Sequence, residues 1–68
     1  MMNNNNRLKE LRLERGLRQV DLAKKIGISP SFICKIECKW AEPNLQTWEE
    51  LAHFFHVTPQ YLVGWTDD

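Results

Sequence analysis

The chain has no long apolar run, only three glycines and three prolines in 68 residues, and no lysine or arginine beyond Lys39. Its apolar residues are scattered, and none of their runs approaches the roughly 20 residues that span a bilayer, so no transmembrane helix is expected. Residues 1–6 are polar and lack the apolar centre of a signal peptide, and they are expected to form a disordered tail. The expected compartment is therefore the cytoplasm, where the two cysteines, Cys34 and Cys38, stay reduced. There is no Gly-rich phosphate loop, no nucleophile elbow and no paired carboxylates in a recognisable pocket, so no enzyme and no cofactor are expected. No strand alternation or internal repeat competes with a helical reading, and residues 3–6 are a short asparagine run. A chain of 68 residues has room for one domain with a thin core, residues 7–68, a size at which many helical domains still fold unaided.

Charge is what the chain has in an uneven pattern. The formal net charge is zero. All nine bases nevertheless lie between Arg7 and Lys39, where only Glu10, Glu14, Asp21 and Glu37 oppose them, a local balance of +5. From Trp40 onward there are five acids and no lysine or arginine, a balance of −5. Asymmetry of this kind points to a polyanion as partner of the basic half. The alternative is a solvated surface on which like charges happen to cluster.

Local signals divide the chain into five helices. The first runs from Arg7 to Arg15, with Asn6 as its cap, Leu8 and Leu11 on its buried face and Gly16 as its stop. Leu17 packs back under the turn. The second runs from Gln19 to Ile26, with Leu22, Ala23 and Ile26 as its apolar stripe, and ends at Gly27. Ser29 caps the third and Pro30 occupies its first position, where a missing N–H costs nothing. That helix extends to about Cys38 and buries Ile33 and Ile36. Only Gly27, Ile28 and Ser29 separate the second and third helices, and so short a link forces the sharp angle of a helix-turn-helix unit. A loop from Trp40 to Asn44, closed by Pro43, leads into a fourth helix, Leu45–Phe55, with Leu45, Trp48, Leu51, Ala52 and Phe55 on one face. Thr58 caps a short fifth helix that Pro59 opens, Tyr61 and Leu62 anchor and Gly64 ends.

The spacing Gln19, Leu22-Ala23, Gly27-Ile28-Ser29, Ile33, Ile36-Glu37 closely resembles the lambda-repressor-like (Cro/repressor, XRE) helix-turn-helix family. Leu8, Leu11, Arg12 and Gly16-Leu17 fit that family's first helix. Pro43, Leu45, Leu51-Ala52, Val57, Leu62 and Gly64 fit its last two. The resemblance covers nearly the whole chain outside the tail. It implies an all-α, compact five-helix lambda-repressor-like domain with the helix-turn-helix formed by helices 2 and 3. Arg12 and Glu37 resemble the family's partly buried ion pair between the first helix and the end of the third. The family's third helix enters the major groove, which makes Pro30, Ser31, Cys34 and Lys35 the expected base contacts. Gln19 resembles the family's phosphate anchor, and Arg18, Lys39 and Trp40 are further expected phosphate contacts. This chain departs from many relatives where Arg18 stands in place of Thr, and where Lys39 and His56 stand in place of Gly.

The resemblance implies a phage, prophage or bacterial transcriptional regulator, associated with the nucleoid and bound to a double-stranded operator as a homodimer. Its half-sites would lie about one helical turn apart. A second expectation belongs to another class: a modulator or antitoxin-like protein that binds a partner repressor or another protein. Cys34 on the reading face, the neutral net charge and three tryptophans favour this one. Relatives dimerise around the end of the fourth helix and the fifth, so Val57, Pro59, Tyr61 and Trp65 form the expected dimer or partner surface. Cys34, Cys38, His53 and His56 give a C-x3-C…H-x2-H spacing with superficial likeness to a zinc site. The expected fold puts Cys34 and His53 on different sides of the third helix, so no metal is expected.

Overall fold

The computed structural model describes residues 6–65. Residues 1–5 of the expected tail and residues 66–68 lie outside that range. The described residues form five helices and no strand: α1 (Leu8–Glu14), α2 (Gln19–Ile26), α3 (Pro30–Glu37), α4 (Leu45–Phe55) and α5 (Pro59–Val63). Among the described residues no helix is long and apolar enough to cross a membrane.

Start signals act as side-chain caps on three helices. The side chains of Ser29, Asn44 and Thr58 accept the backbone N–H of Phe32, Thr47 and Tyr61 at 3.1, 2.9 and 3.1 Å. Each satisfies one donor that the first helical turn leaves open. Asn6, expected at the end of the disordered tail, is instead tied to the fold. Its Oδ1 accepts the Leu8 N–H at 3.0 Å and its Nδ2 donates to the Ile36 carbonyl at 3.1 Å. The cap position of α1 falls on Arg7, one residue later than expected.

The helices end alike, in a residue of left-handed backbone that turns the chain: Gly16, Gly27, Lys39, His56 and Gly64. At the end of α4 the His56 N–H donates to the His53 carbonyl at 3.1 Å and the Val57 N–H to the Ala52 carbonyl at 3.0 Å. These two bonds close the open carbonyls of the last turn. Lys39 and Trp40 do the same for α3, on the carbonyls of Ile36 and Lys35 at 3.1 and 2.8 Å. The left-handed region favours glycine because a Cβ there meets the following carbonyl. Lys39 (φ 66) and His56 (φ 59) adopt it as L-residues.

The core draws on every helix: Leu8 from α1, Leu22 and Ala23 from α2, Ile33 and Ile36 from α3, Trp48, Leu51, Ala52 and Phe55 from α4, and Leu62 from α5. Ala23 is 1% exposed, so a larger side chain there would force its neighbours apart. Leu45, expected on the buried face of α4, is 67% exposed. It stands in the first turn, at the end of the apolar stripe, where the loop from α3 arrives. The two ends of the fold meet where the Arg7 N–H donates to the Leu62 carbonyl at 2.8 Å. The Arg7 guanidinium donates to the Tyr61 carbonyl and lies 4.2 Å from the centre of the Tyr61 ring.

Candidate nucleic-acid interface

Helix α3 is divided lengthwise. Ile33 and Ile36 are fully buried and Phe32 half-buried, while Pro30, Ser31, Cys34 and Lys35 are exposed, as is Cys38 just beyond the last turn. Ser31, Cys34, Lys35 and Cys38 follow helical spacing and make one outward stripe. Four of these exposed residues are the expected base contacts. Ser31 can donate or accept, Lys35 can only donate, and Cys34 is a weak partner either way.

The stripe is aimed by what holds the helix from behind. The Glu37 carboxylate accepts from Arg12 Nε at 2.7 Å, from the same guanidinium's Nη2 at 3.1 Å and from Gln19 Nε2 at 3.0 Å. The third arm of Arg12, Nη1, donates to the Leu17 carbonyl at 2.8 Å. The Arg12 and Glu37 side chains are 8% and 3% exposed. One guanidinium thus joins α1, the turn after it and the end of α3, and the carboxylate extends the chain of bonds to the first residue of α2. Burial of this pair is sustainable because its donors and acceptors meet one another.

The residues expected at phosphates occupy different situations. Gln19 is half-buried and gives one amide N–H to Glu37, and its side chain carries a second. Arg18 is exposed, but its guanidinium makes a two-pronged contact with Asp21, Nε to Oδ2 and Nη2 to Oδ1, both at 2.9 Å. Asp21 Oδ2 also accepts the backbone N–H of Arg18 at 2.9 Å. The bonds from the Arg18 side chain and backbone pull the Asp21 carboxyl down to about 2. Lys39 and Trp40 stand side by side after α3, both exposed, with Trp40 at 83%.

The expected dimer or partner surface is less open than the sequence suggests. Val57, Pro59 and Tyr61 are half-buried, and only Trp65, at 82%, is exposed. One face of the Tyr61 ring is covered by Arg7. Val57 and Tyr61 instead line an open groove of about 600 Å³ with Leu11, Arg15, Phe55 and His56. The Arg15 guanidinium lies 5.7 and 5.3 Å from the Phe54 and Phe55 ring centres. Cys34, Cys38, His53 and His56 are all exposed, and among the described residues no three His, Cys, Asp or Glu side chains are grouped to hold a metal ion.

Sequence reasoning missed the Arg18–Asp21 fork. An acidic residue three positions after the cap was its available signal. The contacts of Arg7 and Arg15 with rings more than 35 positions away leave no local signature.

Two helices joined through a three-residue turn, inside an all-α domain of five, define a helix-turn-helix protein. The chain belongs to the helix-turn-helix family whose model matches residues 8–62. It is 40% identical over 57 residues to an HTH-type transcriptional regulator of Deinococcus deserti, a match covering 84% of this chain and 44% of that one. It is 38% identical over 58 residues to the immunity repressor protein of Bacillus phage phi105, covering 85% of this chain and 40% of the repressor. An uncharacterised HTH-type transcriptional regulator of Methanocaldococcus jannaschii is 38% identical over 63 residues, with 93% of this chain and 96% of that one aligned. The chain therefore spans less than half of the first two relatives and nearly all of the third. The lambda-repressor-like resemblance read from the sequence and the family match agree.

Proposed function

We propose that this chain is a sequence-specific DNA-binding transcriptional regulator that lays α3 in the major groove of an operator. The observation that carries the reading is the uncovered outward stripe of α3, in a chain of this family, with its bases gathered in α1–α3 and the residues just beyond. Ser31 and Lys35 read base edges, Pro30 and Cys34 make van der Waals contact, and the second N–H of Gln19 together with Lys39 and the Trp40 indole holds phosphates. Arg18 reaches a phosphate only by giving up its fork on Asp21. The chain acts as a homodimer on a two-fold site, through the groove and exposed Trp65 near α5.

Selection of bound duplexes from a random pool, followed by affinity across a salt series, tests the reading. The expected outcome is an enriched two-fold site whose affinity falls steeply with salt. Lys35→Ala then relaxes one base position by about 1–3 kcal/mol, whereas Gln19→Ala weakens all sequences alike. A second reading, a modulator that binds a partner repressor, is favoured by the exposure of Trp40 and Trp65. No enrichment, with only weak salt-sensitive binding, selects that one.

A further inference from the structure

Two residues of the outward stripe contribute little to base reading. Cys34 and Cys38 are both exposed free thiols, and thiols are weak hydrogen-bonding groups. The Cys38 N–H donates to the Cys34 carbonyl at 2.9 Å, so helical register runs through both residues and stacks them on consecutive turns. Their Cβ atoms are then about 5–6 Å apart. Glu37, the residue preceding Cys38, is turned inward onto Arg12.

This spacing suits a bridge better than a disulfide. A disulfide draws the Cβ atoms to about 3.5–4.5 Å, closer than consecutive turns stand. Two metal–thiolate bonds of about 2.3 Å each span the wider gap without moving the backbone. Zinc calls for four ligands, and among the described residues no third His, Cys, Asp or Glu joins the pair in a group. The ion that fits is soft and content with two thiolates, which describes copper(I).

We propose that Cys34 and Cys38 form a two-thiolate site for copper(I) on the outward face of α3. On binding, both S–H bonds break, two protons pass to solvent and two Cu–S bonds form, with no change of oxidation state. The local charge changes from zero for the two thiols to −1 for the bis-thiolate complex. The consequence for DNA rests on the reading above: an anion and its metal then stand where phosphates and base edges would approach, so copper and operator exclude each other. The exclusion is reciprocal, each ligand weakening the other by the same factor.

The test is anaerobic titration of the reduced full chain with copper(I) presented by a coloured chelator, with no DNA present. The expected result is one copper per chain, an unchanged oligomeric state, and about 10²-fold weaker competition after either Cys34→Ser or Cys38→Ser, the advantage of two linked ligands over one. Far-ultraviolet dichroism confirms that both variants fold. One copper shared between two chains, or single variants that compete as well as the parent, overturns the proposal. Repetition with an enriched duplex tests the exclusion separately. If no duplex is enriched, the operator reading fails while the copper result stands.

Discussion

The two halves of this small domain are held together by different chemistry. Among the described residues of α1–α3, directional polar bonds sit in the interior: Arg12, 7% exposed, is fixed on three sides, and Glu37 receives both Arg12 and Gln19. The core of α4 and α5 is apolar, built from Trp48, Leu51, Ala52, Phe55 and Leu62. Apolar burial drives compaction but is indifferent to direction. A bidentate guanidinium–carboxylate contact specifies angle and register. The half that contains α3 adds directional bonds to an apolar core of its own, Leu8, Leu22, Ala23, Ile33 and Ile36, whereas the half that backs it relies on apolar packing that includes the buried aromatic rings of Trp48 and Phe55.

Removing the polar tie gives the largest expected effect. Arg12→Ala leaves the Glu37 carboxylate buried with Gln19 alone and is expected to cost about 3–5 kcal/mol in urea unfolding. Replacing both partners, Arg12→Met with Glu37→Leu, is expected to cost much less, because no charge is then stranded. A double variant as unstable as the single one would mean that packing, not charge, holds this half. In the other half Leu51→Ala is expected to cost about 2–5 kcal/mol through lost burial and a residual cavity, with the outward stripe of α3 still binding whatever the parent binds.

The left-handed helix ends give a smaller effect of opposite sign. His56→Gly and Lys39→Gly each remove a Cβ strained by about 1–2 kcal/mol and add backbone freedom worth about 0.5–1 kcal/mol to the unfolded chain. A net gain of a few tenths to about 1 kcal/mol is expected from each, read as a rise in melting temperature. Loss of stability would show that the native side chains make compensating contacts. Smallest is the exposed Arg18–Asp21 fork. Asp21 is drawn down to about 2 by the bonds from Arg18, so its stabilising effect is present above the ordinary carboxylate range and fades as pH falls towards 2. Between pH 4 and 2 the parent should therefore lose slightly more melting temperature than Asp21→Asn, and parallel curves would mean that solvent screens the fork entirely.

The helices were legible because their punctuation is local. Ser29-Pro30, Thr58-Pro59 and the glycines at 16, 27 and 64 act through their own backbone geometry, and α2 and α4 begin and end where such signals put them. Contacts set by the folded chain were legible only through resemblance. Arg12 and Glu37 are 25 positions apart, and composition alone does not pair them. The bond from Gln19 to the same carboxylate, the covering of Tyr61 by Arg7 and the exposure of Leu45 depend on how helices come to rest against each other. The candidate interface was readable as a stripe of outward residues. Arg18's engagement with Asp21 was not, since it depends on how an exposed, flexible side chain comes to rest on the acid of the first turn.

The lengthwise division of α3 bears on which of its residues can change over generations. What fixes the helix in place lies on its inner side and at its two ends, in Ser29, Phe32, Ile33, Ile36 and Glu37. Exchanges at Ser31, Cys34 or Lys35 fall on exposed positions, where substitutions usually shift stability by no more than about 0.5 kcal/mol. The outer stripe can therefore be exchanged one residue at a time without passing through unfolded intermediates, and the same freedom lets a designer rewrite it on an unaltered scaffold.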